Sequence, residues 1–409
     1  MNGRIIFMEM VMNRFKWAAV AAGCAVVLAG CGGASDGADT TPKTVASSVK
    51  VFGDSIMDSG TFGYKFTIQG NNTDGKPIQV FPEIVAANFG VPTLCAFFNF
   101  SPTAGFTTKS SCTNYAVGGG RVNNLTNPGT GGNSSPFSIT YQLGVAAATP
   151  GALTANDVVI VDGGGNDLAD LTGAYLGITA SATGFATYTG LLGTMLPQAT
   201  IGSILGAAPT PTSLATAGGA YAQALGTALA TSVKTNVVGK GVSKVVVVTA
   251  PDITATPRFL AVLAGVAAQA GTAQRDAVKT LVDTWTNAFN AALVAGLAGT
   301  SVQVFDLNAE GKKISANPTQ FAFTNIVTPA CPKVAGGIDS VTGQASLTGP
   351  TVAACNTALM SAPSGIPVGE TSSTWWQNYA YSDNFHPTPA LHKLIAQSIN
   401  LQLVKAGWL

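Results

Sequence analysis

NDVVIVDGGGND, residues 156–167, holds four consecutive hydrophobic residues, Val158 to Val161, between a polar pair and a run of three glycines. A strand without polar alternation is covered on both faces, as in a parallel sheet flanked by helices. The glycines and Asn166 then supply the turn that ends it. Three other windows share this form: SVKVFG at 48–53, SKVVVVTAPD at 243–252 and SVQVFDLN at 301–308. Helical patterns lie between and after them. Tyr221, Leu225, Leu229, Val233 and Val237 recur at every fourth position until Gly239. Residues 273–297 form a longer amphipathic run, and 389–405 a third, opened by Pro389. Strands alternating with helices predict an α/β fold, a three-layer α/β/α sandwich with a mainly parallel central sheet. One domain is expected over 48–409. Residues 171–217, rich in Ala, Gly and Thr and weakly periodic, are expected to form an inserted cap near the sheet edge where sites form.

The composition fits a large folded core. Of 409 residues, 46% are hydrophobic and only 10% charged, which argues against long disordered tails. A net charge of +1 provides no basic surface to neutralise phosphates, so a nucleic-acid partner is not expected.

The N-terminus reads as an export signal. Arg14 and Lys16 precede the apolar stretch WAAVAAGCAVVLAGC, residues 17–31, which is short for a membrane span. Leu28-Ala29-Gly30-Cys31 resembles a bacterial lipobox, in which the cysteine is lipidated and becomes the new N-terminus. The expected organisation is therefore a lipoprotein signal at 1–30, a flexible tether at 31–47, and lipidation of Cys31. Gly32 after the cysteine resembles cargo sent to the outer membrane; a secreted or periplasmic protein is the alternative.

Beyond Cys24 and Cys31, four cysteines remain, an even number suited to disulfides in an oxidising compartment. Proximity favours Cys95–Cys112 and Cys331–Cys355, although three pairings are possible. The cysteines lack CxxC or HxxxH spacing, so no metal site is expected, nor any cofactor.

Several segments carry the residue types of acyl-transfer chemistry. Gly53-Asp54-Ser55 follows the first strand and offers a serine nucleophile. A serine needs a base, and the chain has two histidines. His386 lies three residues after Asp383, close enough for the carboxylate to fix the imidazole tautomer. His392 falls within the last helix and reads as a helix-surface or partly buried histidine. Acyl transfer also needs donors aimed at the developing oxyanion. NYAVGGGRV at 114–122 offers backbone N–H groups, and Asn166 offers a side-chain amide. Each piece alone is ordinary turn chemistry.

In order, Gly-Asp-Ser, Gly, Gly-x-Asn-Asp and Asp-x-x-His resemble the SGNH/GDSL hydrolase family. The matching blocks, 49–60, 114–122, 158–167 and 383–389, frame nearly the whole exported domain. The resemblance implies a flavodoxin-like fold and a serine esterase or lipase acting on carboxylic esters, similar to bacterial exported lipase/esterases of the lipoprotein type. It also implies catalytic Ser55, Asp383 and His386, with an oxyanion hole of Ser55, Gly119 and Asn166; Gly118 and Gly120 are close rivals for the glycine role. Ile56 stands where leucine is usual, and Gly120 where alanine is common. An acyltransferase using the same residues and a non-catalytic binding lipoprotein are the competing readings. Gly33-Ala34-Ser35-Asp36-Gly37 fits the GxSxG pattern but lies in the tether, without the strand-to-helix context that exposes such a serine.

Overall fold

The computed structural model describes residues 46–91, 93–126, 131–331 and 355–409. The export signal, Cys31, nearly all of the tether and the GxSxG segment lie outside the described residues. Four strands form one sheet: β1 (Val49–Phe52), β4 (Val158–Val161), β5 (Lys244–Val248) and β6 (Gln303–Phe305). They lie in that order, and every neighbouring pair is parallel, with Val51 opposite Ile160, Ile160 opposite Val246, and Val246 opposite Gln303. All four expected windows contain a strand. A parallel bridge from Val51 to Asn114 extends the pairing on the free side of β1.

The strand period of two divides the core between the sheet's faces. Phe52, Val159, Val161, Val245 and Val247 pack into one hydrophobic cluster with α2 (Ile139–Ala148), α6 (Pro211–Asn236) and α8 (Thr272–Leu297). Val49, Val51, Val158, Ile160, Val246 and Val248 pack into another with α1 (Phe81–Asn88), α9 (Leu307–Ala316) and α11 (Pro389–Lys405). The result is the expected three-layer α/β/α sandwich. Threonines at 210 and 388 cap α6 and α11, each followed by a proline suited to the first helical position.

Residues 171–217 are largely helical: α3 (Gly165–Ala180), α4 (Gly184–Gly193), α5 (Gln198–Leu205) and the first turns of α6. One close backbone approach lies inside this segment, where a side chain at Gly184, the first residue of α4, would run into the Gly177 carbonyl of α3. A side chain at Gly218 would run into the Trp285 ring, and one at Gly226 into the Phe289 carbonyl, so α6 meets α8 at close backbone range through small residues. A hairpin absent from the expected elements, β2 (Phe98–Ser101) with β3 (Gly105–Thr108), has a turn that ends at Gly105 with φ +68°. Cys95–Cys112 closes the base of this hairpin, and Cys331–Cys355 forms the second disulfide. After β5 the chain enters α7 (Pro257–Ala270), and α10 (Thr357–Ser361) follows the second disulfide.

Candidate active site

Ser55 sits three residues beyond β1, in a turn that Asp54 stabilises by accepting from the Ile56 N–H at 3.1 Å. Gly53 is required there: its φ is +156°, and a side chain would collide with the Asp162 carboxylate at the end of β4. The Asp54 N–H donates to that same carboxylate at 3.0 Å, tying the ends of β1 and β4 together.

His386 reaches the serine from the loop before α11. Its Nε2 is 2.8 Å from Ser55 Oγ, and its Nδ1 is 2.7 Å from Asp383 Oδ2. The other Asp383 oxygen accepts from the backbone N–H groups of Phe385 and His386 at 2.7 and 2.6 Å. Burial pushes the Asp383 carboxyl up, but the His386 imidazole and these hydrogen bonds outweigh it and hold the group below its ordinary value. All three side chains are buried. The Phe66 ring lies 5.0 Å from the imidazole and fills the space that a side chain at Gly118 would need.

The three glycines differ in the fate of their N–H groups. Gly118 donates to Asp58 Oδ2 and Gly120 to the Val117 carbonyl, each at 2.9 Å. Gly119, with φ +79°, and Ser55 have backbone N–H groups with no acceptor among the described residues. Asn166, in the first turn of α3, donates through Nδ2 to the Gly120 carbonyl at 2.9 Å and to Asp54 Oδ2 at 3.3 Å. One amide thus joins the residue before Ser55 to the residue after Gly119. To serve a ligand oxygen, it must relax the longer of these bonds.

These contacts bring four blocks, separated by as many as 331 positions, to the C-terminal rim of the parallel sheet. The chain matches the model of the GDSL-like lipase/acylhydrolase family over residues 49–399.

The chain belongs to the GDSL-like lipase/acylhydrolase family.

No curated protein matches it. Membership brings hydrolase activity of the esterase or lipase kind to a GDSL-like chain with two disulfides. The site of this GDSL-like hydrolase also contains residues that the sequence reading did not single out. Arg121 donates from Nη1 to the Gly119 carbonyl at 2.7 Å, while Nε and Nη2 hold both oxygens of Asp170 at 2.6 and 3.1 Å. Asp170 lies one turn after Asn166 on α3, a four-residue spacing that could have marked it. Asp167 accepts from the N–H groups of Val122 and Asn123, both at 2.9 Å. Burial raises the carboxyls of Asp58 and Asp167 to about 6 against their backbone donors. Burial also raises Asp54 and Asp162, and for Asp162 the neighbouring Asp54 charge adds to the effect. His392, expected at the helix surface or partly buried, is instead fully buried, packed beside Phe81 with its Nδ1 accepting from the Phe81 N–H at 3.3 Å. Ser55 borders a small cavity of about 90 Å³ that reaches Ile253, Leu307 and Tyr381.

Proposed function

We propose that the chain is a serine esterase that hydrolyses carboxylic esters through an acyl-enzyme. The observation that carries this reading is the hydrogen-bonded line from Asp383 through His386 to Ser55 Oγ. Ser55 Oγ attacks the ester carbonyl as His386 Nε2 takes its proton. Asp383 holds the imidazole tautomer and offsets the charge that the ring acquires. The developing oxyanion takes hydrogen bonds from the Ser55 and Gly119 N–H groups and from the Asn166 amide. Collapse breaks the ester C–O bond, and His386 returns the proton to the departing alcohol. Water then attacks the acyl-serine, giving its proton to His386, and release of the carboxylic acid restores the hydroxyl of Ser55.

A fluorophosphonate probe tests this reading. Wild-type protein should be labelled at Ser55 and Ser55→Ala should not; equal labelling of both proteins, or of neither, would overturn it. We also propose that the chain is exported and anchored at the bacterial outer membrane by lipid on Cys31. The lipobox-like LAGC segment motivates that placement, and the two disulfides suit an oxidising compartment. Metabolic labelling with a fatty acid should mark the wild-type chain and not Cys31→Ala.

A further inference from the structure

The small cavity at Ser55 has a volume of about 90 Å³. A second, half-open cavity of about 560 Å³ lies between α3, α4 and α7. On α3, Asn166 is followed at three- and four-residue intervals by Ala169, Asp170, Gly173 and Gly177, all of which line this cavity. The helix face that begins with the amide near Ser55 therefore continues as one wall, running about 16 Å from Asn166 to Gly177 at 1.5 Å per residue. The opposite wall is fastened to the histidine loop. Arg258 of α7 donates its backbone N–H to the Asn384 carbonyl at 2.8 Å, and the Phe385 ring packs 6.4 Å from Phe259. The cavity thus opens between the helix that carries Asn166 and the helix held by the loop of His386.

Resting on the esterase reading, we infer that this cavity receives an extended apolar chain of the ester. Leu176, Leu191, Phe259 and Val262 provide hydrophobic walls. Gly173 and Gly190 leave the space between them open. A Cβ at either position would meet nothing within 4 Å, so packing does not explain glycine there. Within a helix, each glycine is less favourable than alanine. Burial of each substrate methylene should raise kcat/KM by up to about fourfold until the cavity is full.

Two substrate series identify which end of the ester enters. One lengthens the acyl group from acetate to decanoate on a fixed nitrophenol; the other lengthens the alcohol of an acetate ester. The inference expects kcat/KM to climb with length in one series. Gly173→Leu and Gly190→Leu, which project into the cavity from α3 and α4, should lower the ratio of long-chain to short-chain kcat/KM at least tenfold. Thr179→Leu, at an exposed position of α3 outside the cavity, should leave that ratio at the wild-type value. If acetate esters turn over while both series stay flat, or the glycine variants keep the wild-type ratio, this inference fails and the esterase reading stands. Failure of every ester to react would remove the esterase reading itself, and the inference with it.

Discussion

The side-chain amide of Gln142 holds both backbone polar groups of Gly53, accepting from its N–H at 2.8 Å and donating to its carbonyl at 3.0 Å. β1 has ended at Phe52, so a helix side chain replaces the missing ladder partner two residues before Ser55. The Gly53 carbonyl also accepts from the Val117 N–H, so Gln142→Leu would leave unpaired the buried Gly53 N–H and the Pro136 carbonyl, which accepts from the same amide at 2.9 Å. A destabilisation of about 1–3 kcal/mol is expected. Urea unfolding measures it, and an unchanged midpoint would show that Gly53 is held another way.

Asp383→Asn should lower kcat on the order of 10³–10⁴-fold while substrate still binds, because an amide cannot both orient the imidazole and balance its charge. Steady-state kinetics on a short ester would show this. A loss of less than tenfold would separate Asp383 from the chemistry.

Removing the Asn166 amide deletes one donor to the proposed oxyanion. Asn166→Ala is expected to reduce kcat by about 10²–10³-fold with little change in KM. A variant that retained wild-type turnover would strike the asparagine from the site.

Arg121 fastens the turn bearing Gly119 to the helix bearing Asn166, through Gly119 on one side and Asp170 on the other. Lysine is a point donor and cannot reproduce this fork. Arg121→Lys should therefore misplace the Gly119 N–H and lower kcat by up to about 10²-fold, with KM for a short ester preserved. An equal rise in KM would instead indicate a role in binding.

Acid stability depends in part on His392. Burial lowers its pKa from 6.5 to about 3, so the imidazole is neutral in the fold. Its contribution is present above pH 6.5 and is lost as pH falls towards 3, amounting to a few kcal/mol at the acid end. His392→Gln retains an acceptor for the Phe81 N–H but does not titrate. Its unfolding free energy should decline less steeply over that interval, and parallel curves for variant and wild type would contradict this assignment.

The central sheet was legible because β4 and most of β5 are short apolar runs buried on both faces, and α11 because Thr388 and Pro389 mark its start. The helices of 171–217 were not, since their frequent glycines and alanines leave no continuous hydrophobic stripe on which periodicity relies. Ser55, Asp383 and His386 could be read from local spacing, and the structure brings their side chains within hydrogen-bonding distance of one another. The glycine run could not be resolved by sequence. Which of its N–H groups lacks an acceptor depends on Asp58 and Val117, which claim Gly118 and Gly120. The roles of Gln142 and Arg121 were not legible because they rest on backbone atoms, which any sequence supplies, and on Asp170, 49 positions away.

The 331 positions between Ser55 and His386 also have a consequence during synthesis. The segment that brings the imidazole to the hydroxyl, together with the helix that packs it down, leaves the ribosome only after all four strands of the parallel sheet. A growing chain therefore carries an unpaired serine until residue 386 emerges, and termination anywhere before that position yields a polypeptide without the pair.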